Sequence, residues 1–455
     1  MFLIKHPKII KTIGIWPNFL KIVFNFGKFK FGIIMGKILL RNIILDGQAS
    51  DMLVIDGIIA RIAPSESLCY SADETEVMDC GGKTALPGFV NMHTHAGMSM
   101  MRGVGEDIEF HEWLDRIWEI EKNIDEDYVY SATKLACLEM IKTGTTTFND
   151  QYWYMPMAYK AASEMGLRSV LSYVICDRND PQESERQKAQ CQEMFEVSKA
   201  WEPTAIFVIS VHAIYSVSEP MILWARDFAR SNGIRLHVHL SETEKDVEDC
   251  RSEHKGMSPV EYLDSLGVLG PDVIAAHTLW LSDRDIEILG KRGVTCVHNV
   301  NSNLKLASGY KFRYNELRDA GANVCLGTDG CGSSNNLDML ETMKTSAMIQ
   351  KAWRWDSSAM PIKEILDMVT VNPAKALGLN LGRLEEGALA DIIIVDTDNY
   401  HFMSPGSFEA NLIYSAHSDC VDSVICNGRF VMKNRVVPGE KEILSMARRH
   451  LGRII

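Results

Sequence analysis

Apolar and polar positions divide the chain into stretches of different period. From Lys37, two runs, KILLRNIILDG and DMLVIDGIIARIA, are dense in Ile, Leu and Val and broken by Asp-Gly pairs. That pattern predicts strands joined by tight turns. Near the other end, ALADIIIVD (388–396) and DSVICNGRFVMKNRVV (422–437) read the same way, and Asn427-Gly428 marks a hairpin. Strands split between the two ends predict one small β-sandwich assembled from residues 35–85 and 380–455.

The pattern changes between them. Short apolar runs at 86–92, 144–150, 168–175, 205–211, 235–240, 272–277, 294–298 and 323–329 alternate with longer stretches of helical period. The segments 125–143, 185–201, 218–232 and 281–292 predict helices. Eight strand–helix units in series predict an α/β chain with a (β/α)8 TIM barrel over 86–379. An open doubly wound sheet is the alternative, but no Gly-rich phosphate turn follows the first strand.

A length of 455 residues with 46% hydrophobic positions suits a barrel plus an added module. A net charge of −13, with no basic stripe interleaved with aromatics, argues against nucleic acid as a partner. Eleven cysteines without a C-x-x-C predict free thiols in a reducing compartment, hence a cytoplasmic protein. The first 34 residues carry six lysines and no acid. Their apolar stretches are broken by Pro17, Asn18, Lys21 and Asn25, so none approaches the roughly 20 residues of a membrane span. We read residues 1–34 as an N-terminal extension, disordered or lying ahead of a true start at Met35. A basic amphipathic segment on a membrane surface is the alternative.

The chemistry concentrates at the predicted strand ends. In NMHTHAG, His93 and His95 sit two apart at the mouth of strand one, on one side of an extended segment. Strand four ends at His212, strand five at His239, strand six at His277, strand seven at His298 and strand eight at Asp329. The chain has only 13 histidines, and active sites of this fold collect at that mouth. Imidazole nitrogens with one carboxylate form a ligand set for one divalent metal, most simply Zn²⁺ with Fe²⁺ as the alternative. Three histidines and Asp329 leave a position for water. A second metal would need a bridging group such as a modified lysine on strand four, and VISVHAIYS has none. Glu242, three residues after His239, is placed to shuttle a proton. His277 and Asp329 would orient and deprotonate the attacking water. His237 reads as a framework residue within strand five, His298 as a ligand-like or loop-orienting group, and His111 and His254 as surface positions.

His93-x-His95, His239-x-x-Glu242, His277 and Thr328-Asp329-Gly330 resemble the amidohydrolase superfamily, from about residue 37 to 455. LPGFVNMHTHAGMSMMRGVGEDIEFHEWL, HLSETEKDVEDC and SNLKLASG resemble its branch of 5-methylthioadenosine/S-adenosylhomocysteine deaminases, with triazine chlorohydrolases and guanine deaminases as relatives. The resemblance implies zinc or iron on His93, His95, His239 and Asp329. It implies metal-bound hydroxide attacking an adenine ring, Glu242 protonating the adjacent ring nitrogen, and ammonia leaving. It assigns Glu121 to ribose hydroxyls, His212 and Glu242 to substrate, and Arg186 to a substrate arginine. It also implies a homo-oligomer. The sequence departs from the family at Tyr173, where relatives carry an arginine, and in the loop 176–187. Specificity is therefore open at this point. The leading substrate is a nucleoside of the methylthioadenosine or adenosylhomocysteine type. The alternative is another heterocyclic amine (guanine, pterin or triazine) or a chloride leaving group. The H-x-E with P-C-x-x-C pattern of the zinc deaminases that act on nucleic-acid bases is absent.

Overall fold

The computed structural model describes residues 36–71 and 74–454. The expected N-terminal extension, residues 1–34, lies outside them. Among the described residues, no helix is long and apolar enough to cross a membrane.

Among the described residues, sixteen strands form two sheets. The first joins β1 (Lys37–Leu45), β2 (Gln48–Ile55), β3 (Ile58–Pro64), β4 (Thr75–Asp79) and β5 (Thr84–Pro87) to three strands from the far end of the chain. The barrel strands follow: β6 (Phe89–Thr94), β7 (Thr145–Asp150), β8 (Arg168–Ile175), β9 (Ala205–Val211), β10 (Leu236–Leu240), β11 (Val273–His277), β12 (Thr295–His298) and β13 (Asn323–Leu326). Then β14 (Ile392–Val395), β15 (Val421–Cys426) and β16 (Arg429–Met432) return to the first sheet. Its order is β16-β15-β14-β5-β1-β2-β3, with β4 paired parallel to β1. Both ends of the chain thus build one mixed sheet, over a core that includes Leu40, Ile43, Met52, Ile392, Ile394 and Ile425. The Asn427–Gly428 turn has φ of 48° and 69°, the left-handed pair a two-residue hairpin requires.

The second sheet runs β6 to β13 in chain order, with every pairing between neighbours parallel. Its strands are almost wholly buried because helices cover the outside and side chains fill the interior. The expected helices appear as Glu126–Lys142, Pro181–Ser198, Glu219–Asn232 and Asp283–Arg292. The seam between the first and last strands is stitched by polar groups. The Asn91 amide donates to Thr328 Oγ1 at 2.7 Å, Thr328 N to Asn91 Oδ1 at 3.1 Å, and Asp329 N to the His93 carbonyl at 3.0 Å. A Cβ on Gly327 would lie 2.9 Å from the His93 backbone nitrogen and oxygen, so only glycine lets the strands approach this closely.

The structure corrects one boundary. The apolar run at 86–92 serves two sheets. Leu86 and Pro87 pair antiparallel with β14, the chain breaks at Gly88, and Phe89 opens the barrel beside β7. A fully buried run carries no alternation to show which sheet it joins. At the other end, the helix Glu440–Arg448 leaves the β sheet. Its Ala447 packs with Tyr128, Val129 and Ala132 of the Glu126–Lys142 helix, and His450 Nε2 meets Ser131 Oγ at 3.1 Å.

Candidate functional site

Every expected ligand lies at the C-terminal mouth of the barrel. His93 and His95 stand on and just past β6, His239 on β10, and Asp329 just beyond β13. His93 Nε2 and His95 Nε2 face Asp329 Oδ1 at 3.2 and 3.1 Å. The His239 ring centroid is 5.0 Å from that of His93 and 5.4 Å from that of His95. Two triplets, His93–His95–Asp329 and His93–His239–His277, each bring their ligand atoms within 4.8 Å of one another.

Surrounding bonds aim the imidazoles. His95 Nδ1 meets the Gln151 carbonyl at 2.5 Å, and His239 Nδ1 meets the His212 carbonyl at 2.9 Å. A carbonyl only accepts, so both Nδ1 atoms carry the proton and both Nε2 lone pairs are free. His93 Nδ1 contacts His237 Nε2 at 3.1 Å, which leaves His93 Nε2 facing the centre when His93 donates. His237 is thus a framework residue, fully buried behind the ligand. Ser302 and Ser333 both donate to Asp329 Oδ2, at 2.6 and 2.9 Å, which leaves Oδ1 to the centre.

Two buried atoms, His93 Nε2 and Asp329 Oδ1, have no hydrogen-bond partner. An orphaned nitrogen and an orphaned carboxylate oxygen facing each other among further imidazoles are what a divalent cation would satisfy. The residues present fit such an ion.

Electrostatics separate the groups. Burial would raise the Asp329 carboxyl, but the His93 and His95 rings outweigh it and hold it well below the usual range. Burial, reinforced by the Asp329 and Asp246 carboxylates, pushes Glu242 well above its ordinary value. Burial lowers His277 to about 3 and His212 to about 4. Non-glycine residues with left-handed backbone collect here: Ser241 at φ 53°, His277 at 70° and Asp329 at 62°. Such strain persists where the surroundings over-determine it.

The ligand cluster opens into a cavity. Glu242, His277 and Asp329 line it together with Glu121, between walls that include Phe110, Trp113, Leu114, Ile117, Trp118 and Val174. His212 also lines it. Trp153 Nε1 donates to Glu121 Oε2 at 3.2 Å, and burial raises that carboxyl. The structure does not bring Arg186 there. Its guanidinium pairs with Glu183 and donates to Gln190 on the same helix, because i,i+3 and i,i+4 partners capture a helical arginine first. Tyr173 likewise bonds Gln190, at 3.1 Å, away from the cavity. Arg178 lies 5.0 Å from the ring centroid of Trp118, which lines the cavity. Asp177 anchors its loop, accepting from Ser184 Oγ, Ser218 N and Ser218 Oγ. His298 lies outside the cavity lining, stacked on Phe312 at 4.0 Å. Sequence reasoning passed over Gln151, Ser302, Asn303 and Ser333. For Ser302 and Asn303 the signal was available in SNLKLASG, whose polar pair had no role assigned.

The comparisons agree with this picture. Residues 84–431 match the profile of the Amidohydrolase family. A 5′-deoxyadenosine deaminase of Methanoregula boonei is 43% identical over 381 residues, covering 83% of this chain and 86% of that protein. A 5-methylthioadenosine/S-adenosylhomocysteine deaminase of Thermococcus sibiricus is 41% identical over 388 residues, covering 84% and 89%. The crystal structure of an adenosine deaminase from Xanthomonas campestris with bound zinc superimposes with a TM-score of 0.84 at 28% identity, covering 92% of this chain and 98% of that one. With a family profile running from the small sheet through the barrel and back, and about two-fifths of its residues shared with the Methanoregula boonei and Thermococcus sibiricus deaminases over four-fifths of its length, the chain belongs to the amidohydrolase family.

Proposed function

We propose that the protein is a metal-dependent deaminase of adenosine-type nucleosides whose 5′ position carries an apolar or thioether group. It is a hydrolase of C–N bonds in cyclic amidines. One observation carries the substrate reading: a single cavity is lined both by the proton-handling residues and by Glu121, between aromatic and aliphatic walls. The purine sits toward Glu242, the ribose diol at Glu121, and a 5′-deoxy or 5′-thioether group against the apolar side. The names of the relatives, which include 5′-deoxyadenosine and methylthioadenosine deaminases, support this assignment.

His93, His95, His239 and Asp329 would hold one divalent ion, zinc first and iron as the alternative. When bound, it lowers the pKa of water and supplies a nucleophile near neutral pH. The remaining steps belong to the chain. The Asp329 carboxylate accepts the water proton, and His277 keeps the attacking oxygen in line. Glu242, whose pKa burial raises, gives its proton to the ring nitrogen next to the carbon under attack. The proton held by Asp329 then passes to the exocyclic amine, which leaves as ammonia, and the hydroxyl proton returns to Glu242 as the carbonyl forms. His212, which lines the cavity beside His239, contacts the substrate. All eleven cysteines are unpaired, which supports a reducing compartment such as the cytoplasm.

The test is ammonia release by zinc-loaded protein from 5′-deoxyadenosine, 5-methylthioadenosine, S-adenosylhomocysteine, adenosine, guanine and a pterin in parallel. Turnover of the first two, with adenine absorbance giving way to hypoxanthine, is expected. Turnover of guanine or pterin alone would overturn the nucleoside assignment.

A further inference from the structure

The motif SNLKLASG lies in the loop and short helix after β12 and has no role in the mechanism above. Its second residue, Asn303, is 1% exposed and makes a specific set of contacts. Asn303 Nδ2 lies 3.0 Å from His277 Nδ1 and 3.0 Å from Ser308 Oγ. Its backbone closes the loop around it: Asn303 N donates to the Asn299 carbonyl at 3.0 Å, and Ser308 N to the Asn303 carbonyl at 3.0 Å. Trp280 Nε1 donates to the Ser308 carbonyl at 2.6 Å, so the loop is pinned from the His277 side as well.

We propose that Asn303 is a positioning residue that fixes the hydrogen of His277 on Nε2, the nitrogen that faces the reacting centre. The proposal rests on the hydrolytic reading of the site given above. An amide N–H donated to Nδ1 requires a lone pair there, and a neutral imidazole then carries its single hydrogen on Nε2.

Two observations support this amide orientation over its flipped form. As placed, both Nδ2 hydrogens have acceptors, and only Oδ1 lacks a partner. The flip would instead leave both donors of a buried amide without partners, the costlier outcome. The far side of the ring agrees. His277 Nε2 is 3.6 Å from Glu242 Oε2, and the ligand atoms of Glu242, His277 and Asp329 lie within 4.8 Å of one another. A lone pair aimed at the Asp329 carboxylate would be repelled, whereas an N–H is attracted to it.

The neighbouring residue acts on the other proton-handling group, since Ser302 Oγ occupies Asp329 Oδ2. One turn of one short helix thus orients both His277 and Asp329. The chemistry this permits is specific. His277 enters as a hydrogen-bond donor to the attacking oxygen and the carbonyl that forms from it, and Asp329 is the group left to accept the water proton.

Two variants and one spectrum test it. Asn303→Leu removes the donor while keeping the same number and branching of side-chain heavy atoms. Asn303→Asp replaces it with an acceptor that draws the hydrogen to Nδ1. In zinc-loaded protein with ¹⁵N-labelled histidine, the His277 resonances, assigned by their loss in His277→Gln, should show a protonated Nε2 in the wild type and a protonated Nδ1 in Asn303→Asp. Metal content should stay at the wild-type level in both variants. On whichever substrate the wild type turns over, kcat should fall about 10–100-fold in Asn303→Leu and on the order of 10³-fold or more in Asn303→Asp, with KM within about threefold. A protonated Nδ1 in the wild type would overturn the proposal. So would unchanged kcat in both variants, or a loss that tracks only a fall in metal content or Tm. The spectrum needs no substrate, so failure of the deaminase reading and failure of this inference remain distinguishable.

Discussion

At the residue scale, two carboxyl groups in one pocket are driven in opposite directions. Asp329 is held well below the usual carboxylate range by His93 and His95, while Glu242 is raised by burial and by the Asp329 and Asp246 carboxylates. That divergence fits the proposed roles of Asp329 as acceptor and Glu242 as donor. Glu242→Gln should keep full metal content and lose turnover by about 10²–10⁴-fold, read by ammonia release alongside elemental analysis. The same group sets a pH limb. A donor must be protonated, and the Glu242 pKa is raised, so kcat should be full on the acid side of that raised value and fall as pH climbs through it. A kcat that rises with pH across that range would remove Glu242 as the donor. Ser302 and Ser333 act on Asp329 from behind. Replacing both with alanine frees Oδ2 to swing toward the centre, and metal affinity should drop about 10–100-fold in competition with a chromogenic chelator.

At the element scale, the site depends on where strands end and how closely they meet. β10, β11 and β13 each finish at or just before a left-handed non-glycine residue, which turns His277 and Asp329 into the mouth instead of along the sheet. The barrel seam meets at Gly327. Gly327→Ala would set a Cβ 2.5 Å from Asn299 Oδ1 and 2.9 Å from the backbone of His93, itself an expected ligand. It should cost about 1–3 kcal/mol in chemical denaturation and lower metal occupancy together, because the same contact serves both. Normal occupancy with lowered stability would separate seam from site. Elements were read well where period and length agreed. The helix Glu219–Asn232 and the strand Ala205–Val211 fall at or within a residue of the expected bounds. The run at 86–92 was not, since its two sheets demand the same apolar residues.

At the scale of the whole molecule, the barrel and the small sheet are tied by a buried ion pair. Arg168, opening β8, reaches Asp391, just before β14, through two bonds of 3.1 Å, with side chains 3% and 2% exposed. Asp391 also accepts from Asn427 N at the hairpin turn. Arg168→Met would strand a buried carboxylate, and a loss of about 3–5 kcal/mol is expected in urea unfolding, with metal content retained by the folded protein. Removing the metal acts on the whole chain through mass action. A chelator should abolish turnover and lower Tm, by about 4 kcal/mol of stability if the ion stands at 1,000 times its Kd. Zinc should restore both.

By itself the sequence determined the elements, the barrel and the residues that meet at its mouth. A strand's end is marked by the polar residue that stops an apolar run, and in a parallel barrel all such ends face one way. His93, His95, His239, His277 and Asp329 needed no more than that. The tertiary structure decided what lies between elements. It showed that Arg186 is captured by Glu183 on its own helix while Arg178 comes to rest over Trp118. It put Asn303 against His277 and Ser302 against Asp329, across 26 and 27 residues. The reason is physical: periodicity records which face of an element is buried, whereas a hydrogen bond depends on the direction of two side chains brought together by the closed barrel, and no local pattern carries that direction.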